Sequence, residues 1–183
     1  MTAGKCDRWV FGYGSLMWRP GFDFVERRAA VAHGRRRAFC IYSVHHRGTP
    51  TRPGLVLGLA PGGAARGAAY RIAVGDWPGV YAYLREREQP TETYFEAWAP
   101  VRLAGGETVQ ALVFLSDRDH PQWAGDLDLE AQARLIAGAS GLSGRNVDYL
   151  RDLVLHLREE GVADAAMERL LVRVEALEAG PAG

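Results

Sequence analysis

A charge excess of either sign, cysteine and long apolar runs are all scarce in this chain, and each shortage excludes something. Lys plus Arg and Asp plus Glu number 22 each over 183 residues, so no global field draws in nucleic acid or an anionic membrane. The two cysteines, Cys6 and Cys40, lack Cys-x-x-Cys spacing and cannot build a disulfide framework. No uninterrupted apolar stretch approaches bilayer length. Met1 to Arg8 carries Lys5, Asp7 and Arg8 and no apolar core, so it does not read as a secretory leader. A reducing cytoplasm is the expected setting. What remains is ordinary for a globular chain: 48% hydrophobic and 24% charged residues, enough to bury a real core. Without a repeat, low-complexity tract or linker, residues 1–183 read as a single domain with its core over about 9–177.

The first apolar run, Trp9-Val10-Phe11-Gly12-Tyr13-Gly14-Ser15-Leu16, is rich in residues that suit a pleated, half-buried surface, so it reads as a strand. Gly12 and Gly14 interrupt it where a strand should yield to a turn. Glycine accepts positive φ and carries no Cβ, which lets a ligand approach the backbone closely. Ser15 adds a hydroxyl, and successive N–H groups in such a turn can form an anion-binding concavity. A bulged edge strand or hairpin explains the same residues.

Further strands are expected at Ala38–Tyr42, Leu55–Ala60 and Gly67–Val74, with Ser43–Gly54 as a loop and Pro61-Gly62-Gly63 as a turn. A helix should open at Asp76, with Pro78 in its first turn, and run to about Glu88, because Pro90 pushes Gln89 out of helical geometry. Tyr94–Leu103 alternates, with Phe95, Ala97, Ala99, Val101 and Leu103 on one face, and Gly105-Gly106 turns it into Val109–Leu115. Three helices follow: about Asp128–Ala139, Asn146 to Gly161, and one from about Asp164. Strands cluster early and do not alternate regularly with helices, so the fold class is α+β.

Among the acidic residues Glu86, Glu88, Glu92 and Glu96, helical geometry singles out one. Val80, Leu84 and Glu88 lie at i, i+4, i+8 and share a stripe, whereas Glu86 belongs to the solvent side. Glu88 thus continues an inward-facing stripe at a helix end, where burial would raise its pKa toward that of a useful general acid or base. An arginine partner, or a frayed last turn, is the competing reading.

Other constellations carry less. Gly12-x-Gly14 has Met17 where a dinucleotide fingerprint needs its third glycine. Ser15 is not flanked by the glycines of a nucleophile elbow. Cys40 reads as a buried structural thiol. His45 and His46 are adjacent, and no third ligand is spaced to complete a metal site. Arg35-Arg36-Arg37 reads as a solvated basic run.

Taken together, these stretches resemble the ChaC-like gamma-glutamylcyclotransferases, the glutathione-specific branch of that fold. Val10-Phe11-Gly12-Tyr13-Gly14-Ser15-Leu16 is similar to the family's substrate-binding loop. His46-Arg47-Gly48-Thr49-Pro50 with Pro53-Gly54 resembles the loop that follows, and Gly67-Ala68-Ala69-Tyr70-Arg71 a characteristic strand. Tyr83-Leu84 with Arg87-Glu88 resembles the segment bearing the catalytic glutamate. Ser143-Gly144-Arg145-Asn146 with Tyr149-Leu150 resembles the C-terminal signature.

The resemblance implies a small, mixed, mostly closed β-barrel with flanking helices. It implies a lyase-type intramolecular amide transfer, the conversion of glutathione to 5-oxoproline and cysteinylglycine, with Glu88 as general acid/base. Substrate binding would fall to Val10, Phe11, Gly12, Tyr13, Gly14, Ser15 and Leu16. Tyr149 is expected to reach the substrate, with a core tyrosine as the alternative. Arg47 is expected to meet the glycine carboxylate of glutathione, with a solvated loop arginine as the alternative. No cofactor and no metal are expected, and a monomer or weak dimer with no nucleic-acid or membrane partner. Two departures stand out. Arg85-Glu86-Arg87-Glu88 doubles the Arg-Glu pair, which leaves Glu86 as a second candidate base, and Gln89–Thr93 differs from the Gly-rich stretch of some members. A cyclotransferase for other gamma-glutamyl compounds and a non-enzymatic gamma-glutamyl-binding module also remain open.

Overall fold

The computed structural model describes residues 7–88 and 93–180. Five strands form a closed barrel in the order β1-β3-β2-β4-β5, where β1 is Arg8–Gly12, β2 Glu26–Ser43, β3 Gly54–Ile72, β4 Tyr94–Leu103 and β5 Thr108–Ser116. The helices are α1 (Trp77–Glu88), α2 (Leu129–Ile136), α3 (Asn146–Glu159) and α4 (Ala165–Ala179), and a two-stranded ladder joins β6 (Ser140–Gly141) to β7 (Gly144–Arg145). The α+β class and the mixed, closed barrel with helices agree with expectation. Cys6, Gln89 and Glu92 lie outside the described residues.

Closure comes from β1, which pairs antiparallel with β3 (Val10 opposite Tyr70) and parallel with β5 (Val10 opposite Leu112). Val10 and Phe11 are fully buried, as a strand with neighbours on both sides should be. The β4–β5 hairpin turns through Gly105 and Gly106, both at positive φ.

Two strands are longer than the sequence signals. β2 begins at Glu26 rather than Ala38, and its inward parity changes across Gly34: Ala30 and Ala32 are buried before it, and Arg37, Phe39 and Ile41 after it. Gly34 sits at φ 74°, and such an irregularity hides a period of two from a reader of the sequence. Likewise β3 is continuous through Pro61-Gly62-Gly63. That segment is not a chain reversal: the two glycines take positive φ within the strand. On β4, Val101 and Leu103 are buried as expected, but Phe95 is 45% exposed, so the apolar face does not extend to that end.

Two compact units can be recognised, Met1–Arg37 with Leu59–Asp117, and Ala38–Gly58 with Arg118–Gly183. In the first, α1 buries Val80 and Leu84. In the second, α2 is capped by the Asp128 side chain, which accepts from Ala131 N, and α4 by Asp164, which accepts from Met167 N. There α3 buries the stripe Val147, Leu150, Val154 and Leu157, and α4 buries Met167, Leu170, Leu171 and Val174.

Candidate active site

In the first unit the chain leaves β1 at Gly12 and enters a single 3-10 turn, Ser15–Met17. Neither Gly12 nor Gly14 is at positive φ. What Gly12 requires is room: a Cβ there would lie 2.8 Å from Leu16 Cβ and 3.2 Å from the Leu16 carbonyl carbon. Gly67 on β3 is similarly constrained, since its Cβ would lie 2.2 Å from the Gly12 carbonyl oxygen.

The loop is tied down through its carbonyl groups. Arg37 donates from Nε to Tyr13 O at 2.6 Å and also reaches Arg66 O. The Tyr70 hydroxyl lies 2.8 Å from Leu16 O and 2.7 Å from Met17 O. Gly14 O accepts from Met17 N at 2.9 Å, and Ser15 O from Arg19 N at 2.8 Å. With the carbonyls so engaged, Ser15 is the one exposed residue between Val10 and Met17. The side chains of Val10, Phe11 and Leu16 face the core, which leaves the Ser15 hydroxyl as the side-chain group the turn exposes.

Arg37 corrects the reading of Arg35-Arg36-Arg37 as solvated: it is 5% exposed and structural. The signal was present in its parity with Phe39 and Ile41, once 37 to 41 is placed on one strand. Tyr70, fully buried, was visible only as part of a motif.

Glu88 ends α1 with its side chain 20% exposed. Burial pushes its pKa above the usual 4.5, and the adjacent Arg87 guanidinium, 3.2 Å from Oε1, pulls the other way without overcoming burial. Arg87 also donates from Nη2 to Ser15 Oγ at 2.9 Å. The carboxyl is therefore one guanidinium away from the turn. Glu86 is exposed, as its place on the helix requires. A carboxyl of raised pKa, a hydroxyl and a glycine turn are joined through one guanidinium, an arrangement suited to acid/base chemistry on a polar substrate.

The second unit holds Arg47 and Tyr149. The Arg47 guanidinium lies 5.1 Å from the Tyr149 ring centroid and donates to Ser143 O at 2.6 Å and Arg145 O at 3.3 Å. Tyr149 also meets Phe39 edge-on at 5.7 Å. In the same unit the buried Asn146 amide pairs with Leu55, accepting from its N at 2.7 Å and donating to its O at 2.8 Å. Gly48 and Gly54 are packed against backbone atoms with no space for a Cβ. Cys40 is buried. Among the described residues no three His, Cys, Asp or Glu gather as metal ligands, and no helix is long and apolar enough to cross a membrane.

Residues 8–177 match the family model described as ChaC-like protein. The chain belongs to the ChaC-like family. Within it, this ChaC-like chain is 40% identical over 169 residues to the glutathione-specific gamma-glutamylcyclotransferase of Escherichia coli strain K12, covering 92% of this chain and 73% of that protein. It is 32% identical over 169 residues to the protein of that name from Schizosaccharomyces pombe, covering 82% of each. The crystal structure of a yeast gamma-glutamyl cyclotransferase specific to glutathione superposes with a TM-score of 0.83 at 25% identity, over 94% of this chain and 99% of that one.

Proposed function

We propose that this ChaC-like chain is a glutathione-specific gamma-glutamylcyclotransferase and that Glu88 is its general acid/base. The observation that carries the reading is a carboxyl of raised pKa, shielded from solvent and linked through one guanidinium to the Gly12–Leu16 turn. The names of relatives at 32% and 40% identity supply the substrate.

The chemistry follows from the product. The α-amine of the gamma-glutamyl group attacks its own γ-carbonyl carbon, forming the lactam C–N bond of 5-oxoproline. The bond from that carbon to the cysteinyl nitrogen breaks. An ammonium is not a nucleophile, so the Glu88 carboxylate first removes its proton and then delivers a proton to the departing nitrogen. Intramolecular attack gains most from holding amine and carbonyl in the reactive arrangement. The turn anchored by Arg37 and Tyr70 is suited to that, through the main chain of Gly12, Tyr13, Gly14 and Leu16 and the Ser15 hydroxyl. N–H groups of the same turn are suited to the developing oxyanion.

The test is incubation with glutathione and assay of 5-oxoproline and cysteinylglycine, with Glu88→Gln and Glu86→Gln in parallel. Product is expected from the parent and Glu86→Gln, and essentially none from folded Glu88→Gln. Activity in Glu88→Gln would remove Glu88 from the mechanism. Turnover of gamma-glutamyl-alanine as fast as that of glutathione would remove the substrate assignment.

A further inference from the structure

Arg87 stands beside the proposed base, and its five N–H groups fix what its neighbours can do. Its side chain is 19% exposed. Nη1 donates to Arg19 O at 2.6 Å and Pro20 O at 3.1 Å and meets the Tyr83 hydroxyl at 2.8 Å. Nη2 donates to Ser15 Oγ at 2.9 Å, and Nε pairs with Glu88 Oε1 at 3.2 Å. One planar group thus ties the strap at Arg19 and Pro20, the glycine turn and the end of α1 together. Gly21 continues the strap at φ 76°, and a Cβ there would lie 2.1 Å from the Tyr83 hydroxyl oxygen.

A guanidinium accepts no hydrogen bond, so each contact has one polarity. Ser15 Oγ must be the acceptor, which leaves its own proton to be given to another group. Glu88 Oε1 is held by the cation, which leaves Oε2 as the oxygen that carries a proton. We propose that Arg87 is a positioning residue of the cyclisation: it orients the Ser15 hydroxyl as a donor toward a substrate oxygen and holds the Glu88 carboxyl with Oε2 toward the reacting amine. This rests on the reading of Glu88 as the base. Lysine cannot replace it, because a single ammonium on a flexible stem does not span three segments in one plane.

The experiment is steady-state kinetics with glutathione for the parent, Arg87→Ala, Arg87→Lys, Ser15→Ala, the Arg87→Ala/Ser15→Ala double variant and Arg85→Ala, with folding followed by circular dichroism. Arg87→Ala is expected to lower kcat about 100-fold, with KM changed less than about threefold. Arg87→Lys should stay at least about tenfold below the parent. In the Ser15→Ala background the Arg87→Ala loss should shrink, because the two groups act as a unit. Arg85→Ala, on the exposed face of α1, should be within about twofold of the parent. Additive losses, a change confined to KM, or Arg87→Ala within about threefold of the parent would overturn the proposal. If Arg87→Ala does not fold, a folded Arg87→Lys with parental kcat would overturn it equally. A parent that forms no 5-oxoproline overturns the functional reading and this one with it. An active parent with an indifferent Arg87→Ala overturns only the role of Arg87.

Discussion

Arg37 donates from Nε to the carbonyl oxygen of Tyr13 at 2.6 Å, from a side chain that is 5% exposed. A cation is therefore built into the back of the glycine turn. Arg37→Met should leave the Tyr13 and Arg66 carbonyls short of a donor and cost about 2–4 kcal/mol of stability. Urea unfolding with an unchanged slope checks this, and a loss within experimental scatter would show that the contact is idle.

Tyr70 tests the same anchoring without altering charge. Tyr70→Phe removes the hydroxyl that meets Leu16 O and Met17 O. A loss of about 1–3 kcal/mol is expected, together with a lower kcat for glutathione, since the turn loses its hold. Full activity at reduced stability would separate the anchor from catalysis.

Glu88→Gln makes a prediction about stability as well as activity. The folded pKa of Glu88 lies above its usual 4.5 because burial opposes the charged form. A group raised in this way contributes its stability below the unfolded pKa and loses it as pH rises through the folded value. Glu88→Gln should therefore melt above the parent near neutral pH, with the gain vanishing below about pH 4.5. Thermal unfolding at both ends of that window decides it; a variant less stable than the parent at neutral pH would mean that the Arg87 pair outweighs burial.

A glycine far along the chain tests the close packing under the turn. Gly67→Ala would put a methyl 2.2 Å from Gly12 O and 2.9 Å from the Phe11 ring. Backbone displacement costing about 2 kcal/mol or more is expected, with lower 5-oxoproline formation. Tolerance of alanine would show that β1 and β3 can part without consequence.

The second unit has its own acid sensitivity. Two hydrogen-bonded partners, Arg173 first and Arg134 second, hold the Glu130 carboxyl down at about 2. Its contribution is fully present above 4.5 and is lost as pH falls from there through about 2. Glu130→Gln should therefore be less stable than the parent at neutral pH, converge with it in strong acid, and differ less in high salt. Melting curves across that range would expose a difference that persists in acid, which the ion pair does not allow.

The site was partly legible from the chain. The stripe Val80, Leu84, Glu88 put this carboxyl on the inward side of α1, where it is largely buried, because a helix of 3.6 residues per turn leaves little freedom once two members are apolar. Arg37 was missed because the expected strand opened one residue later, at Ala38; extending it back by one puts Arg37 in phase with the buried Phe39 and Ile41. The role of Gly67 was not legible, because its demand comes from an oxygen 55 positions away in the chain. The same holds for β3, where Pro61-Gly62-Gly63 carries every mark of a reversal yet lies within one continuous strand. Spacing reports on neighbours along one element and is silent about atoms that another element brings.

β1 is hydrogen-bonded to β3 on one flank and to β5 on the other. A ribbon with both margins occupied offers nothing for a foreign peptide to zip onto, so this stretch of tryptophan, valine and phenylalanine is kept from the amyloid-like stacking its composition would otherwise invite.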